Sequence, residues 1–385
     1  MRCKKYALLL TMLCLACHPG PPSRDGTPAE QTSGVLLGTP VRVPIRWERA
    51  ELSLEPLTPE DWAIIEEKFR PMSTVPGWGY LLHHLENWGP GKRFRSGEGA
   101  MDGPAMMGTV IRGEPHALFK PSEALLFLDV DGVTRFSRST SDSGDGHPNQ
   151  PLVAFAALGL ASDIKLANQG SEVTIGEMVA LARSEFHLKN EIEWSAMALA
   201  RYAPTRRPWE NRWGASQSFD RIAEEMLSKP LGQGACGGTH TLHALCVLLE
   251  CDRIHGIFSA EVRDRALARL REAARLLDAN ARPDGYWTKD WPFGLVESSS
   301  WVDDLAFHSK TEMVQMTGHH LEWLQIAPEG IAINRDKRRS AILWCARALR
   351  EVREIGASGL CPYSHCFRIV SRYLAPRKPD EIGGE

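Results

Sequence analysis

No stretch of the 385 residues approaches the ~20 consecutive apolar side chains that a membrane-spanning helix needs, so nothing in the chain reads as a transmembrane segment. Clusters of Lys and Arg are missing too, and the formal charge is −3. A mildly acidic chain has no electrostatic pull toward phosphate backbones, which excludes nucleic acid as a partner. Strand and helix patterns do not alternate, so a parallel sheet is excluded. Cysteine is sparse, at nine residues. The most local pair, in Cys361-Pro362-Tyr363-Ser364-His365-Cys366, has the makings of a small disulfide loop, a partial metal knuckle, or neither. It has no second matching half, so zinc is not expected there. Asp129-Val130-Asp131-Gly132 offers too few oxygen ligands for a calcium loop and reads as a turn between short strands over 124–136. No metal or cofactor is expected on these grounds.

What the sequence does carry begins with Arg2, Lys4 and Lys5, followed by a short apolar run from Tyr6 to Leu15 that closes as Leu15-Ala16-Cys17. A positive head, a brief apolar middle and a small residue before a cut have the layout of an export signal. A cysteine directly after that cut resembles the lipobox of bacterial lipoproteins, with Cys14 standing where that motif usually carries leucine. The resemblance implies removal of residues 1–16, a lipid on Cys17, and attachment to a membrane of the bacterial cell envelope, facing the periplasm or exterior. Ordinary secretion with signal removal is the alternative. Loss of residues 1–16 would take the charge from −3 to −6. From His18 to Gly38 the chain is rich in Pro, Gly, Ser and Thr, a composition that cannot bury a core and reads as a solvated tether. The expected plan is a signal over 1–16, a lipid-anchored linker and arm over 17–46, and a folded body over 47–385.

Alternating apolar residues at Val41, Val43, Ile45 and Trp47, interrupted by Pro40 and Pro44, predict an extended arm against the body. Helical periodicity dominates after it. Thr58-Pro59-Glu60-Asp61 is a helix start with a capping hydroxyl, proline in the first turn and acids facing the dipole. Further helices are expected over 80–88, 150–160, 175–186, 191–202, 219–227, 239–251, 260–280, 311–326 and 335–352. About ten helices predict an all-α fold. Two short segments echo one another: Glu193-Trp194 through Ala203-Pro204 against Glu322-Trp323 through Ala327-Pro328. Gly238-Thr239-His240 through His243 likewise echoes Thr317-Gly318-His319-His320. Repeating helical units suggest a stacked or circular array. The run from Leu270 through Asn280 to Asp284-Gly285-Tyr286-Trp287 resembles the repeat of squalene-hopene cyclases and protein prenyltransferase β-subunits. That resemblance spans mainly 231–326 and implies an α/α toroid, a ring of helical hairpins. It does not carry their activities. Trp301-Val302-Asp303-Asp304 lacks the first acid of the cyclases' Asp-x-Asp-Asp motif, and the transferases' zinc ligands have no convincing counterpart.

A toroid would bring the starts of its inner helices to one mouth, and several candidate starts carry glycine and histidine: His83, His147, His240 and His319. Cys236-Gly237-Gly238-Thr239-His240 has two readings. One is a thiol activated at a helix start beside an imidazole base. The other is a glycine turn with Thr239 capping the helix. His319 and Glu322 lie one turn apart and can act as a base with its orienter, or Glu-Trp can be a structural clamp. The catalytic candidates are therefore His240 as base, Glu322 or Asp304 as acid, and His319. Trp287 and Trp323 are the expected stacking walls, with His83 and His147 as further substrate contacts. The reaction class these suggest is hydrolysis or elimination on an envelope glycan or another extracytoplasmic polymer. A non-catalytic binding or scaffold lipoprotein is the alternative, and a metal-dependent enzyme using Cys236, His240 and His319 is a third reading.

Overall fold

The computed structural model describes residues 36–47, 52, 54–71, 77–94, 99–120, 124–137, 147–168, 171–189, 191–294, 308–353, 355 and 360–375. The expected signal, Cys17 and Asp304 lie outside them. Among the described residues there are twelve α-helices: α1 (Pro59–Phe69), α2 (Trp78–Trp88), α3 (Gly103–Arg112), α4 (Gln150–Ala157), α5 (Ile175–Ser184), α6 (Glu193–Tyr202), α7 (Phe219–Ser228), α8 (Thr239–His255), α9 (Ala260–Asn280), α10 (Lys310–Ile326), α11 (Arg335–Glu351) and α12 (Leu360–Leu374). Three small antiparallel hairpins sit between them: Leu126–Leu128 with Thr134–Phe136, Lys165–Asn168 with Ser171–Thr174, and Trp209–Glu210 with Ser216–Gln217. The fold is predominantly helical, as the patterning predicts. None of the described helices is long and apolar enough to cross a membrane.

Two helices escape the sequence pattern for a common reason. In both α3 and α12 a proline falls in the first turn, where its missing N–H costs nothing. Asp102 caps α3 by accepting from Ala105 N at 2.9 Å. In α12, Cys361-Pro362 reads as a loop when it is helical from Leu360 onward.

The even-numbered helices form a closed circuit of neighbours: α2 packs on α4, α4 on α6, α6 on α8, α8 on α10, α10 on α12, and α12 returns to α2. Each odd-numbered helix packs against one or two of them, with α9 for example on α8 and α7 on α6. Burial follows this division. From Met313 to Ile326, α10 exposes almost nothing, and α6 is buried nearly throughout. A helix hidden on all sides belongs in a core. By contrast α9 buries a single stripe, Val262, Ala266, Leu270, Ala273, Ala274 and Leu277, each large side chain of which contributes about 1.5–3 kcal/mol. Helix starts divide in nearly the same way. Side chains of Thr58, Asp102, Thr174, Ser218, Ser259 and Asn334 cap the odd-numbered helices α1 to α11. In α2, α4, α6 and α8 the first turn has no side-chain cap. Ser309 of α10 is the even-numbered exception.

The extended arm is present. Leu37 N donates to Tyr202 O at 2.7 Å, Val41 N to Arg201 O at 2.8 Å, and Arg46 N to Gln325 O at 2.7 Å. Arg201 returns a bond from Nε to Val41 O at 2.9 Å, and Arg46 pairs with Glu250 at 2.7 Å. The arm thus ties together the C-terminal halves of α6, α8 and α10.

Two features of the core make predictions. Cys345 of α11 and Cys366 of α12 are fully buried with their sulfurs 2.9 Å apart. An oxidising compartment is expected to close them into a disulfide, as in exported proteins generally. Peptide mapping without reduction checks this, and two free thiols in protein taken from an oxidising compartment would contradict it. His84 of α2 is buried with no hydrogen-bond partner on Nδ1. Burial, aided by His83, pushes its pKa from the usual 6.5 down to about 3. The unfolded chain therefore takes up this proton first. The stability His84 contributes is complete above about pH 6.5 and is lost as pH falls toward 3, with a slope of about 1.4 kcal/mol per pH unit. Urea unfolding of His84→Gln across that range is expected to show a pH dependence shallower by this single proton.

Candidate functional site

A cavity of about 550 Å³ lies inside the helical circuit. Its lining takes His83 and Glu86 from α2, Trp194 from α6, His240 and His243 from α8, His319 and Glu322 from α10, and His365, Arg368 and Arg372 from α12. Residues 42–45 of the arm form part of its wall. A smaller cavity of about 150 Å³, lined by His147, Asn149, Glu191 and Ser195 among others, adjoins it across the His147–His240 contact.

The imidazoles form a continuous row. Ring centroids are 4.9 Å apart between His147 and His240, 5.1 Å between His240 and His319, 3.7 Å between His319 and His365, and 5.6 Å between His365 and His83. The four histidines expected at one opening, His83, His147, His240 and His319, are thus joined, with His365 as the link to His83. Trp194 packs on both His147 and His240, at 5.3 and 5.1 Å.

Two glutamates organise the row. Glu191 accepts from Nδ1 of His147 at 2.5 Å and from Nδ1 of His240 at 3.0 Å. Burial alone would raise its pKa, but these two hydrogen bonds outweigh it and hold the carboxyl at about 2. Glu322 meets Nδ1 of His365 at 2.8 Å, Nδ1 of His319 at 3.4 Å and the Arg368 guanidinium at 3.2 Å. Burial again pushes the carboxyl up, and Arg368, His365 and His319 more than reverse this, leaving it well below the usual carboxylate range. Glu322 is therefore ionised at neutral pH and orients its neighbours. The acid role expected for it is not one this environment supports. Burial drives His319 down to about 4 despite Glu322, so its ring is neutral at pH 7. His365 is pushed well below the ordinary imidazole value by the same cause. Arg368 also reaches Glu86 at 3.3 Å and donates to His83 Nδ1 at 3.1 Å.

The turn before α8 has a backbone that few side chains adopt. Cys236, Gly237 and Gly238 have φ of 48°, 60° and 76°. Glycine takes this region freely, whereas a cysteine there costs about 1–2 kcal/mol. Trp291 Nε1 donates to Gly237 O at 3.0 Å, and Thr239 Oγ1 donates to Cys236 O at 2.7 Å. Thr239 is therefore the first residue of the helix, bonded backward, and not its cap. Burial pushes the Cys236 thiol up to about 12, which does not favour the first of its two readings, a thiol activated at the helix start.

Both tryptophans expected as stacking walls sit elsewhere. Trp287 and Trp323 are each 0% exposed and belong to the packed interior. Trp287 Nε1 donates to Leu277 O at 2.9 Å, and Trp323 Nε1 donates to His320 Nδ1 at 3.1 Å. Trp194 is the indole on the cavity. The repeated Glu-Trp pairs thus face oppositely: Glu322 and Trp194 point to the cavity, while Trp323 and Glu193 do not. Glu193 accepts from Thr241 Oγ1 at 2.8 Å, tying α6 to the first turn of α8 as a structural clamp. His308, which does not line the cavity, is bonded to Glu312 at 2.8 Å and lies near Asp290 at 3.2 Å.

Of Glu191, His365, Arg368 and Arg372, the sequence motifs marked only His365, and that as part of the Cys361–Cys366 segment and not as a residue of this site. A signal existed for three of them. His365, Arg368 and Arg372 recur at i, i+3 and i+7, a polar stripe on an otherwise apolar helix. Nothing comparable distinguishes Glu191 in sequence.

Three groups of side chains have donor atoms close enough to hold a metal ion: Cys236 with His240 and His319, His147 with Glu191 and His240, and His319 with Glu322 and His365. Comparison with protein-family models, curated proteins and solved structures finds no match for this chain.

Proposed function

We propose that the circuit of even-numbered helices is the inner ring of an α/α toroid and that its cavity is the active site of a hydrolase or lyase acting on an acidic envelope glycan. The observation that carries this reading is the meeting of two carboxylate-pinned imidazole pairs in one cavity. Glu191 holds His147 and His240, Glu322 holds His319 and His365, and His240 faces His319. A carboxylate on Nδ1 fixes the tautomer and orientation of the ring, which leaves Nε2 to exchange protons with a substrate. Neutral His319 accepts the proton in this scheme, and His240 opposite it returns one to the leaving group. Arg42, Arg368 and Arg372 bring guanidiniums to the same lining, which suits a substrate bearing carboxylate or phosphate. Trp194 offers a face for a sugar ring. In this proposal the lipobox-like start supports a tether through Cys17 on the outer side of a bacterial membrane.

The test is turnover on a panel of acidic envelope polysaccharides. Release of reducing ends reports hydrolysis, and ultraviolet absorbance of a new C=C bond reports elimination. His240→Ala and His319→Ala are each expected to lower the rate about 10²–10⁴-fold while retaining the helical circular dichroism of the parent. Undiminished turnover in both variants would remove the assignment.

A second reading, a binding lipoprotein without turnover, draws on residues 42–45, which close part of the cavity with the chain's own arm. Retention of a glycan that is recovered intact would favour it.

A further inference from the structure

We infer that Cys236, His240 and His319 bind a divalent transition-metal ion, and that their donor set fits zinc. The sulfur and one nitrogen from each ring lie within 4.8 Å of one another. Two of these residues come from α8 and the turn that leads into it, and the third from α10. Both Nδ1 atoms are already engaged, His240 with Glu191 at 3.0 Å and His319 with Glu322 at 3.4 Å. Nε2 is therefore the nitrogen each ring has to offer. This is how metal-binding imidazoles are supported: a carboxylate on one nitrogen fixes the tautomer and makes the other a better ligand. Nε2 of His319 is buried without any hydrogen-bond partner, in a residue only 5% exposed. A polar atom left so is costly, and an ion completes it.

Cys236 supplies a second and independent observation. It occupies the left-handed region directly before two glycines, in a turn where glycine would sit without strain. Strain of this kind persists where a side chain is needed in one particular place. Here the turn brings Sγ to the two rings. Gln315 Nε2 donates to that sulfur at 3.3 Å, the kind of contact that supports a thiolate ligand from outside. One thiolate and two imidazoles fill three corners of a tetrahedral zinc site. The fourth remains for a ligand from the cavity that His240 and His319 line.

The other two groups act differently. Glu191 and Glu322 stand 2.5–3.0 Å from Nδ1 of His147, His240 and His365. Those are hydrogen-bond lengths, with a proton in between, so both glutamates are outer supports. Binding then involves no redox change. The Cys236 S–H bond breaks, its proton passes to solvent, and one metal–sulfur and two metal–nitrogen bonds form.

The site belongs to the same cavity as the proposed acid–base chemistry, and with metal bound the two rings serve as ligands instead of bases. Metal content separates the two ideas. Turnover by metal-free protein leaves the acid–base reading standing alone, and a loaded protein without turnover leaves the metal site alone.

The experiment is metal analysis of the full chain purified without chelator, followed by titration of the metal-free protein with Co(II). A stoichiometric metal is expected, together with a thiolate-to-cobalt charge-transfer band and the visible absorption of a four-coordinate ion. Cys236→Ser is expected to abolish the charge-transfer band. Cys236→Gly is expected to lose metal while remaining folded, since glycine accepts this backbone freely. Glu191→Gln is expected to weaken Co(II) binding about 10–100-fold. A wild-type protein that shows no charge-transfer band with Co(II), or a band that survives Cys236→Ser, would overturn the proposal.

Discussion

Replacing Glu322 by alanine is expected to destabilise the protein by about 3–5 kcal/mol. The carboxylate is 4% exposed and faces Arg368, His365 and His319. Its removal leaves the Arg368 guanidinium inside the molecule with only Glu86 to balance it. The loss should therefore exceed what one missing hydrogen bond explains, which is about 1 kcal/mol. Denaturant unfolding of Glu322→Ala, Arg368→Met and the double variant distinguishes the two. If an uncompensated charge is the cause, the double variant is more stable than the sum of the single losses requires. A strictly additive result would show that Glu322 and Arg368 act separately. Glu322→Gln keeps the volume and tests the charge by itself.

Gly318→Ala should be the second large effect. A methyl group at this position would come within 2.7 Å of His365 Cβ and 2.8 Å of Cys366 N. One of those contacts is backbone, so no rotamer change relieves it and α10 must move away from α12. The expected cost is about 1–3 kcal/mol. The same movement parts the His319 and His365 rings, now 3.7 Å apart, so loss of site function should accompany loss of stability. Gly38→Ala is the control, because its added methyl meets nothing within 4 Å. Equal unfolding midpoints for Gly318→Ala and the wild type would mean that the two helices are not held at this distance.

Most of the helical architecture was legible because it depends on local signals. Thr58 marks a helix start by composition alone, and the stripe of α9 can be read by spacing. α3 and α12 were hidden because proline in a first turn has the same appearance as proline in a loop. The site was legible by half. Histidines near glycine pointed to rings that meet in one row beside the cavity, since glycine marks where helices begin or approach closely. Glu322 was found through its spacing from His319. Trp287 and Trp323 were misassigned because an indole's direction depends on the rotational setting of its helix, which a repeated dipeptide does not encode. Glu193-Trp194 and Glu322-Trp323 share residues and face opposite ways. Glu191 had no local mark at all. Its importance comes from lying between two rings, one on α8 and one ahead of α4, and that is a property of three dimensions.

The arm has a consequence for how the molecule behaves in a crowd. An extended segment on a protein surface is normally an invitation to a neighbour's strand, because its backbone donors and acceptors lie open to pairing. Here Leu37, Val41 and Arg46 spend their N–H groups on carbonyls of α6 and α10, and Pro40 and Pro44 have none to offer. A second chain arriving alongside finds no regular ladder to extend. The same bonds that hold the arm in place therefore protect a concentrated population of these molecules from sticking edge to edge.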